Sequence, residues 1–249
     1  MKKPTFTLPS PETGTEYHLY VAEPKAPGPW VAVAVMDGDD MFKPAVAAYK
    51  KSGVALPLLI VGVGYGASFS KPANQRVRDY TAVRAHDEPT SGGAVKFREF
   101  LQKRLWPELA RRYPIRDDVR GLMGYSLGAL LVLDAQFQAK PFFTHYLAGS
   151  PSIWWGDAAI LGQISTLHTQ QPEVPGRLFL SVGEKDSDSM TGDLARLETQ
   201  LGELAFPKLE VSVRRFPKKN HFNCLPIAFE TGITELFGHS IKIAKARKS

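Results

Sequence analysis

A serine between glycines is the first candidate for chemistry in this sequence. Residues 124–128 read GYSLG, after the short apolar run Val119–Met123 that predicts a buried strand and before Ala129–Gln136, which has the composition of a helix. A sharp turn from strand to helix strains the serine backbone and lifts its Oγ above the sheet. We therefore interpret Ser126 as a nucleophile, with the Leu127 N–H facing the negative charge that forms beside it. A strand-to-helix turn that contains a serine by chance is the alternative.

A serine hydroxyl needs a general base at neutral pH, and one histidine has the position for that role. His221 follows the last predicted strand, where a hydrolase of alternating strands and helices places its base. The other five of the six histidines lie within predicted strands, in or beside helices, or in a long loop: His18, His145, His168, His239 and His86. An exposed loop residue without a catalytic role is the alternative for His221.

The base needs an acidic partner, and three carboxylates follow the preceding strand within five residues. They are Glu184, Asp186 and Asp188. We favour Asp186, because the turn at Gly183 gives the chain room to direct this carboxylate towards the base. Glu184 and then Asp188 are the alternatives, and a solvated polar turn explains all three almost as well. The chain order of serine, acid and histidine is that of α/β-hydrolases.

A second backbone amide besides that of Leu127 is needed to stabilise an oxyanion. The apolar run Trp30–Met36 predicts a strand that brings Asp37 and Asp39 to the same edge of the sheet, so we assign this role to the Asp39 N–H. The carboxylates in this turn, including Asp40, lack the ligand spacing and the later glutamate of an EF-hand loop. No metal site is therefore predicted.

Apolar runs that predict strands alternate along the chain with segments that predict helices. The predicted strands are 16–22, 30–36, 56–63, 119–123, 142–148, 177–182 and 209–216, and the predicted helices are 45–51, 97–112, 129–136, 194–204 and 227–237. This alternation predicts an α/β fold with a mostly parallel central sheet and helices on both faces. The polar segment 66–93 has no periodicity. Since no repeat or linker interrupts the pattern, we expect residues 1–249 to form a single domain.

In open parallel sheets, sites gather beyond the carboxyl ends of the strands. Asp37, Ser126, Ser150, Asp186 and His221 each follow a predicted strand. The alternating pattern therefore predicts that these residues lie along one edge of the sheet.

The composition is that of an ordinary globular protein with a basic surface. Part of the net charge of +6 lies in four residues near the C-terminus, Lys242, Lys245, Arg247 and Lys248. No nucleic-acid-binding module or basic face interleaved with aromatic residues is found, so nucleic acid is not an expected partner. No apolar run could span a bilayer, and residues 1–9 lack the apolar core of a signal peptide, so we expect a cytoplasmic protein with no membrane partner. The single cysteine, Cys224, excludes an internal disulfide.

Four segments taken together resemble a known family. They are 37–39 (DGD) after an apolar strand, 76–81 (RVRDYT), 124–128 (GYSLG) and 150–155 (SPSIWW). In this order they look like the putative-esterase (esterase D-like) family of α/β-hydrolases, and within it like the siderophore trilactone esterases of the enterochelin type. The likeness extends from about Glu16 to about Phe237, which is nearly the whole chain.

The resemblance implies an ester hydrolase of the α/β-hydrolase fold that uses Ser126 and His221, with an acid whose position varies in that branch and which is sometimes dispensable. The sequence departs from the family at three places. The family often has histidine where Tyr125 stands, a second glycine where Ala129 stands, and proline where Ala82 stands. These differences concern the substrate and leave the expected fold unchanged.

Two residues in the shared segments are candidates for substrate contacts. Arg78 could donate two hydrogen bonds to an anionic or catecholate oxygen, and Trp154 could offer an aromatic face. Each has a structural alternative, since Arg78 could instead pair with Asp79, and Trp154 could join Trp155 in the core.

We therefore expect a serine-dependent carboxylic ester hydrolase that acts through an acyl-enzyme and needs no cofactor. Its expected substrate is a small-molecule ester that is anionic or aromatic, with siderophore-type lactones and aryl esters as the candidates. An acyltransferase with the same Ser-His-acid site is one alternative. A binding protein that keeps the fold without catalysis is the other.

Overall fold

The computed structural model describes residues 5–238, in which eight strands form one sheet. The strands are β1 Phe6–Ser10, β2 Thr15–Ala22, β3 Trp30–Val35, β4 Leu58–Gly64, β5 Ile115–Tyr125, β6 His145–Gly149, β7 Gly176–Gly183 and β8 Leu209–Phe216. Their order across the sheet is β1-β2-β4-β3-β5-β6-β7-β8. β2 is antiparallel to β1 and to β4, and all neighbours from β4 to β8 are parallel.

Helices cover both faces of the sheet, as the alternating pattern predicted. They are α1 Gly38–Ser52, α2 Arg76–Asp79, α3 Ala94–Phe100, α4 Trp106–Arg112, α5 Leu127–Gln136, α6 Trp155–Gln170, α7 Asp188–Leu204 and α8 Leu225–Phe237, with a π-helical turn, Leu101–Leu105, between α3 and α4. The central strand β3 is buried at every position. Its Val31, Val33 and Val35 pack in the cluster with α1 and α8, whereas Ala32 and Ala34 pack in the cluster with α3 to α7. The α/β-hydrolase fold expected from the sequence is confirmed.

The parallel strands end at one edge of the sheet, and the candidate residues follow them. Asp37 lies just beyond β3, Ser126 follows β5 and Ser150 follows β6. Asp186 and His221 lie in the loops after β7 and β8. This shared edge is the one that the sequence predicts for a site.

Three elements, β1, α2 and α6, are absent from the sequence-based prediction, and the short helix α2 lies in the polar segment 66–93, which has no periodicity. β1 contains Pro9, which is tolerated because this strand pairs with β2 alone at the border of the sheet. In α6, the residues Gly156, Asp157 and Ala158 have left-handed backbones, with φ values of 57°, 56° and 59°. Since the regular helical turns start only after this kink, the apolar periodicity does not mark where the element begins.

The predicted strand 142–148 begins too early, because β6 starts at His145. The aromatic rings of Phe142 and Phe143 pack edge-on against Trp106, with centroid distances of 5.6 and 5.5 Å. These two residues therefore anchor α4 rather than extend the sheet.

Some expectations fall on residues outside the described range. They concern the first four residues, His239 and the basic residues Lys242, Lys245, Arg247 and Lys248. Within residues 5–238, no helix combines the length and apolarity needed to cross a bilayer. A single domain over residues 1–249 stays a prediction.

A buried ion pair ties α3 to α5, the helix that begins after Ser126. Arg98 Nε lies 2.8 Å from Asp134 Oδ2, and the side chains are 11% and 3% exposed. Gln163 donates a hydrogen bond of 3.1 Å to Asp134 Oδ1. Burial raises the pKa of the Asp134 carboxyl, while Arg98 and Gln163 act to lower this pKa. Ionised Asp134 therefore depends on Arg98 for its compensating charge.

Replacing Arg98 by methionine should lower the free energy of unfolding at pH 7 by about 3 kcal/mol, since it leaves a buried carboxylate unpaired. Without Arg98 the pKa of folded Asp134 rises further above its unfolded value. Stability is then lost as the pH rises through that folded pKa and is regained on acidification, because the folded state takes up the proton. Urea unfolding of the variant and the parent at pH 7 and pH 5 measures this effect, and the loss in the free energy of unfolding should be smaller at pH 5. Arg111→Met is the control, because this side chain is 66% exposed. Equal losses in both variants would contradict the expectation.

Candidate active site

The backbone of Ser126 has the strained geometry expected of a nucleophile at a sharp turn. Its φ and ψ are 57° and −120°, and α5 begins at the next residue. The Ser126 N–H donates to the Gly149 carbonyl over 2.9 Å, which ties the turn to the end of β6. A Cβ atom at position 124 would overlap the Gly128 carbonyl, so Gly124 permits the close return of the chain.

His221 meets one of the three candidate acids. Its Nδ1 lies 2.8 Å from Oδ2 of Asp186, whose side chain is 3% exposed. Glu184 and Asp188 are exposed, and Asp188 opens the first turn of α7. With Nδ1–H donating to the carboxylate, Nε2 of His221 keeps the free lone pair that a general base requires. Among the alternatives left by the sequence, the geometry thus pairs Asp186 with the histidine.

Ser126 and His221 line the same small cavity. Its volume is about 170 Å³, and six other residues complete its wall: Met41, Phe69, Arg76, Tyr125, Phe222 and Leu225. The Oγ atoms of Ser126 and Ser152 are 3.3 Å apart, and Ser152 is almost fully buried. The sequence reasoning did not single out Ser152, although it lies in the segment 150–155 that carried the resemblance.

The proposed oxyanion donors both lie in first turns of helices. Such amides have no carbonyl partner within the helix, so they are free to bind an anion. Leu127 opens α5, and Asp39 lies in the first turn of α1. The Asp39 carboxylate accepts hydrogen bonds of 2.6 Å from the Tyr20 hydroxyl and of 2.6 Å from the Tyr65 N–H, which holds this turn against β2 and β4. The two amides stay the predicted oxyanion donors.

A buried ion pair supports the turn before Asp39. Arg76 donates from Nε and Nη2 to the two carboxylate oxygens of Asp37, over 2.8 and 2.9 Å. The Asp37 N–H donates to the Tyr80 hydroxyl over 2.9 Å, and the Asp37 backbone is left-handed with φ 54°. Burial raises the pKa of the Asp37 carboxyl, and the Arg76 guanidinium opposes that shift. The pair thus fixes a strained turn, and the Arg76 side chain also forms part of the cavity wall.

The structure places the two arginines of the 76–81 segment at different cavities, and the substrate contact of Arg78 stays a prediction. Arg78 donates to both Asp79 oxygens, over 2.7 and 3.1 Å, and to Thr15 Oγ1 over 2.7 Å, and it lines a different cavity from Ser126. Its neighbour Arg76 lines the Ser126 cavity instead. Residues two apart on a helical turn face different directions, which explains why the two arginines line different cavities. Arg76 was present in the same RVRDYT segment, but its direction could not be derived.

Trp154 is half exposed and is not among the residues that line the Ser126 cavity. Its ring lies 5.9 Å from that of Trp155, which is buried and donates from Nε1 to the Val83 carbonyl over 3.1 Å. The core alternative therefore applies to Trp155, and the substrate contact of Trp154 stays a prediction.

The acidic turn after β3 is occupied by protein partners. Asp37 binds Arg76, and Asp39 binds Tyr20 and Tyr65. Asp40 accepts a hydrogen bond of 2.8 Å from a backbone N–H in the loop after β4. In the described part of the chain, no group of three or more metal-binding side chains has the geometry to hold an ion.

Adding one methyl group at Gly124 should disrupt the sharp turn that carries Ser126, here called the elbow (residues 124–128). Gly124→Ala places a Cβ against the Gly128 carbonyl, so it should lower the free energy of unfolding by about 1–3 kcal/mol and reduce the ester hydrolysis expected from the sequence through displacement of Ser126. Gly202→Ala in α7 is the matched control, since nothing lies within 4 Å of the added Cβ, and alanine should stabilise this helix by up to about 1 kcal/mol. Urea unfolding and ester hydrolysis measure both effects. A Gly124→Ala protein as stable and active as the parent would contradict the steric argument.

Known proteins are similar to this chain in both sequence and architecture. The family model described as "Putative esterase" matches residues 10–221. The ferri-bacillibactin esterase BesA of Bacillus subtilis is 28% identical, in an alignment that covers 89% of this chain and 88% of that protein. The apo-salmochelin esterase of Escherichia coli O6:H1 is 25% identical, with 90% and 76% covered.

A solved structure of the BES protein from Bacillus cereus superposes with a TM-score of 0.80 at 27% identity, covering 92% of each chain. Because the family model spans most of the sequence and the site carries a serine elbow beside a histidine, this chain belongs to the putative esterase family of α/β-hydrolases, and it is an ester hydrolase.

Proposed function

We propose that this protein hydrolyses the ester bonds of siderophore-type lactones through an acyl-enzyme on Ser126. One observation carries the proposal: His221, paired with Asp186 at Nδ1, lines the same cavity as a serine held in a strained elbow. The substrate class is supported by the names of the two relatives, which are esterases of ferri-bacillibactin and of apo-salmochelin.

In the proposed acylation step, Nε2 of His221 takes the proton of the Ser126 hydroxyl while Oγ attacks the ester carbonyl carbon. The tetrahedral intermediate collapses, the alcohol leaves with the proton from His221, and an acyl-serine ester remains. Water then attacks this ester with His221 again as the base, which releases the acid and restores Ser126. Asp186 holds the imidazole in the required tautomer and stabilises its charged form.

The negative charge of the intermediate lies on the former carbonyl oxygen. The amides of Leu127 and Asp39 are the proposed donors to this oxygen, and each donor of this kind lowers the barrier by about 3 kcal/mol. The Arg76–Asp37 pair holds the turn that carries the second amide.

The cavity suits an aromatic arm that carries oxygen atoms. Phe69 and Phe222 are exposed by 48% and 86%, and Arg76 lies 5.6 Å from the centroid of the Phe69 ring. A volume of about 170 Å³ is below the roughly 300–1,000 Å³ that encloses a drug-sized ligand. A trilactone would therefore place one ester arm in the cavity and leave the rest at the rim, where Trp154 is the proposed aromatic contact.

We also propose a cytoplasmic location and no nucleic-acid partner. Cys224 is a buried free thiol, which suits a reducing compartment, and burial raises its pKa to about 11. A thiol held in this neutral form is a packing residue rather than a second nucleophile.

Removing the nucleophile tests the reaction. Ser126→Ala should lower kcat by about 10⁴-fold or more on p-nitrophenyl acetate and on a catecholate trilactone, because the acyl-enzyme cannot form. A fluorophosphonate should label the Ser126 peptide of the parent, as read by mass spectrometry. Ser165→Ala, an exposed serine on α6, should keep parent activity. Undiminished turnover in Ser126→Ala would falsify the assignment, and parent turnover of the simple ester without cleavage of the trilactone would reject the substrate class alone.

Changing the acid tests the tautomer argument. Asp186→Asn should lower kcat by about 10²–10⁴-fold with a small change in KM, because the amide can stabilise the wrong tautomer of His221 and carries no charge. Glu184→Gln is the control, since this exposed carboxylate follows the same strand, and it should leave kcat unchanged. Steady-state kinetics on one ester measures both variants. Equal kcat values for the two would mean that the histidine acts without its carboxylate.

A further inference from the structure

The residue before the nucleophile has a second bond that reaches the base. The hydroxyl of Tyr125 donates to the main-chain carbonyl of His221 over 2.6 Å. The Ser150 hydroxyl donates to the same phenol oxygen over 3.1 Å. The Tyr125 and His221 rings also touch, with centroids 5.2 Å apart. One side chain thus contacts both the ring and the backbone of the candidate base.

His221 needs such support because no regular element holds it. It lies in the loop between the end of β8 at Phe216 and the start of α8 at Leu225. The Lys185 N–H donates to the Lys219 carbonyl over 2.8 Å, which joins this loop to the turn after β7. Tyr125 joins the same loop to β5, the strand that leads directly into Ser126. A bond from the residue that precedes Ser126 therefore helps to place the loop that carries His221.

The tyrosine is held firmly enough to serve as a reference point. It is 3% exposed, and its ring packs edge-on against Phe229 with centroids 6.2 Å apart. A Cβ at position 149 would overlap the Tyr125 ring, so Gly149 leaves the space that the ring occupies. Burial raises the pKa of the Tyr125 phenol, so the hydroxyl stays protonated and able to donate at physiological pH.

We infer that Tyr125 is a positioning residue of this esterase, whose hydroxyl fixes the His221 loop at the separation from Ser126 that proton transfer requires. The inference rests on the proposed function, because it assigns His221 the role of base. His221 takes part in both acylation and deacylation, so a loop that moves away slows turnover whichever step limits it. Substrate binding does not require this bond.

The test compares two tyrosines that each donate to a carbonyl. Tyr125→Phe removes the bond to His221 and keeps the ring. Tyr146→Phe removes a bond of 2.7 Å from a fully buried phenol to the Phe143 carbonyl, at the amino end of β6 and thus at the opposite edge of the sheet. Both variants lose a buried hydrogen bond, so both should have a lower Tm. The two differ in their distance from the catalytic loop.

Tyr125→Phe should lower kcat on p-nitrophenyl acetate by about 10- to 100-fold with KM unchanged, since small displacements of a catalytic group have effects of this size. The rate at which a fluorophosphonate inactivates the protein should fall in parallel, because that reaction needs the same base. Tyr146→Phe should keep the kcat and the inactivation rate of the parent. The assays are run well below the Tm of each variant, so that a difference in kcat does not come from partial unfolding.

Two outcomes would overturn the inference. A parent-like kcat in Tyr125→Phe would make the bond a structural one only, and a higher KM with kcat unchanged would make Tyr125 a substrate contact. If Tyr125→Phe does not fold, Ser150→Ala decides, because it removes the hydrogen bond that orients the phenol and should lower kcat in the same direction by a smaller factor. Activity that survives Ser126→Ala counts against the proposed function itself. Activity lost in Ser126→Ala but kept in Tyr125→Phe counts against this inference alone.

Discussion

The backbone conformation of Ser126 is the constraint on which the rest of the site depends. A positive φ at a residue other than glycine is costly, and it persists because the surroundings over-determine it. The absence of a side chain at Gly124 lets the chain return on itself, and the bond from the Ser126 N–H to the Gly149 carbonyl ties the turn to β6. Strain at one residue is thus supported by two neighbouring strands and by the helix that follows.

The site also depends on two buried carboxylates, each of which is neutralised by an arginine from the segment after β4. Asp37 is matched by Arg76, and Asp79 is matched by Arg78 and by hydroxyl bonds of 2.7 Å from Tyr17 and 3.1 Å from Tyr65. These contacts order the polar segment after β4, although its sequence shows no periodicity. Because each carboxylate has a cation, and Asp79 also has two phenol donors, burial is tolerated, and the segment can form one wall of the cavity.

The local pattern of apolar and polar residues was sufficient to predict most of the strands and helices. Buried parallel strands such as β3 and β7 are continuous apolar runs that end at polar turns, so their existence and their shared edge could be predicted. The pattern gave a wrong strand boundary where apolar residues pack on another element, as Phe142 and Phe143 pack on Trp106 of α4. The pattern did not predict α6, because the left-handed residues near its start place the regular helical turns later in the sequence.

The sequence by itself determined which residues reach the carboxyl edge of the sheet, since Ser126, Asp186 and His221 each follow a strand of a parallel sheet. Tertiary structure decided which carboxylate meets the imidazole and which arginine, Arg76 or Arg78, lines the cavity. The physical reason is that strand ends are set by local periodicity, whereas the direction of a side chain in an irregular loop is set by partners distant in the chain. The direction of the Tyr125 phenol is also set by a distant partner, because the carbonyl that it binds lies 96 residues later.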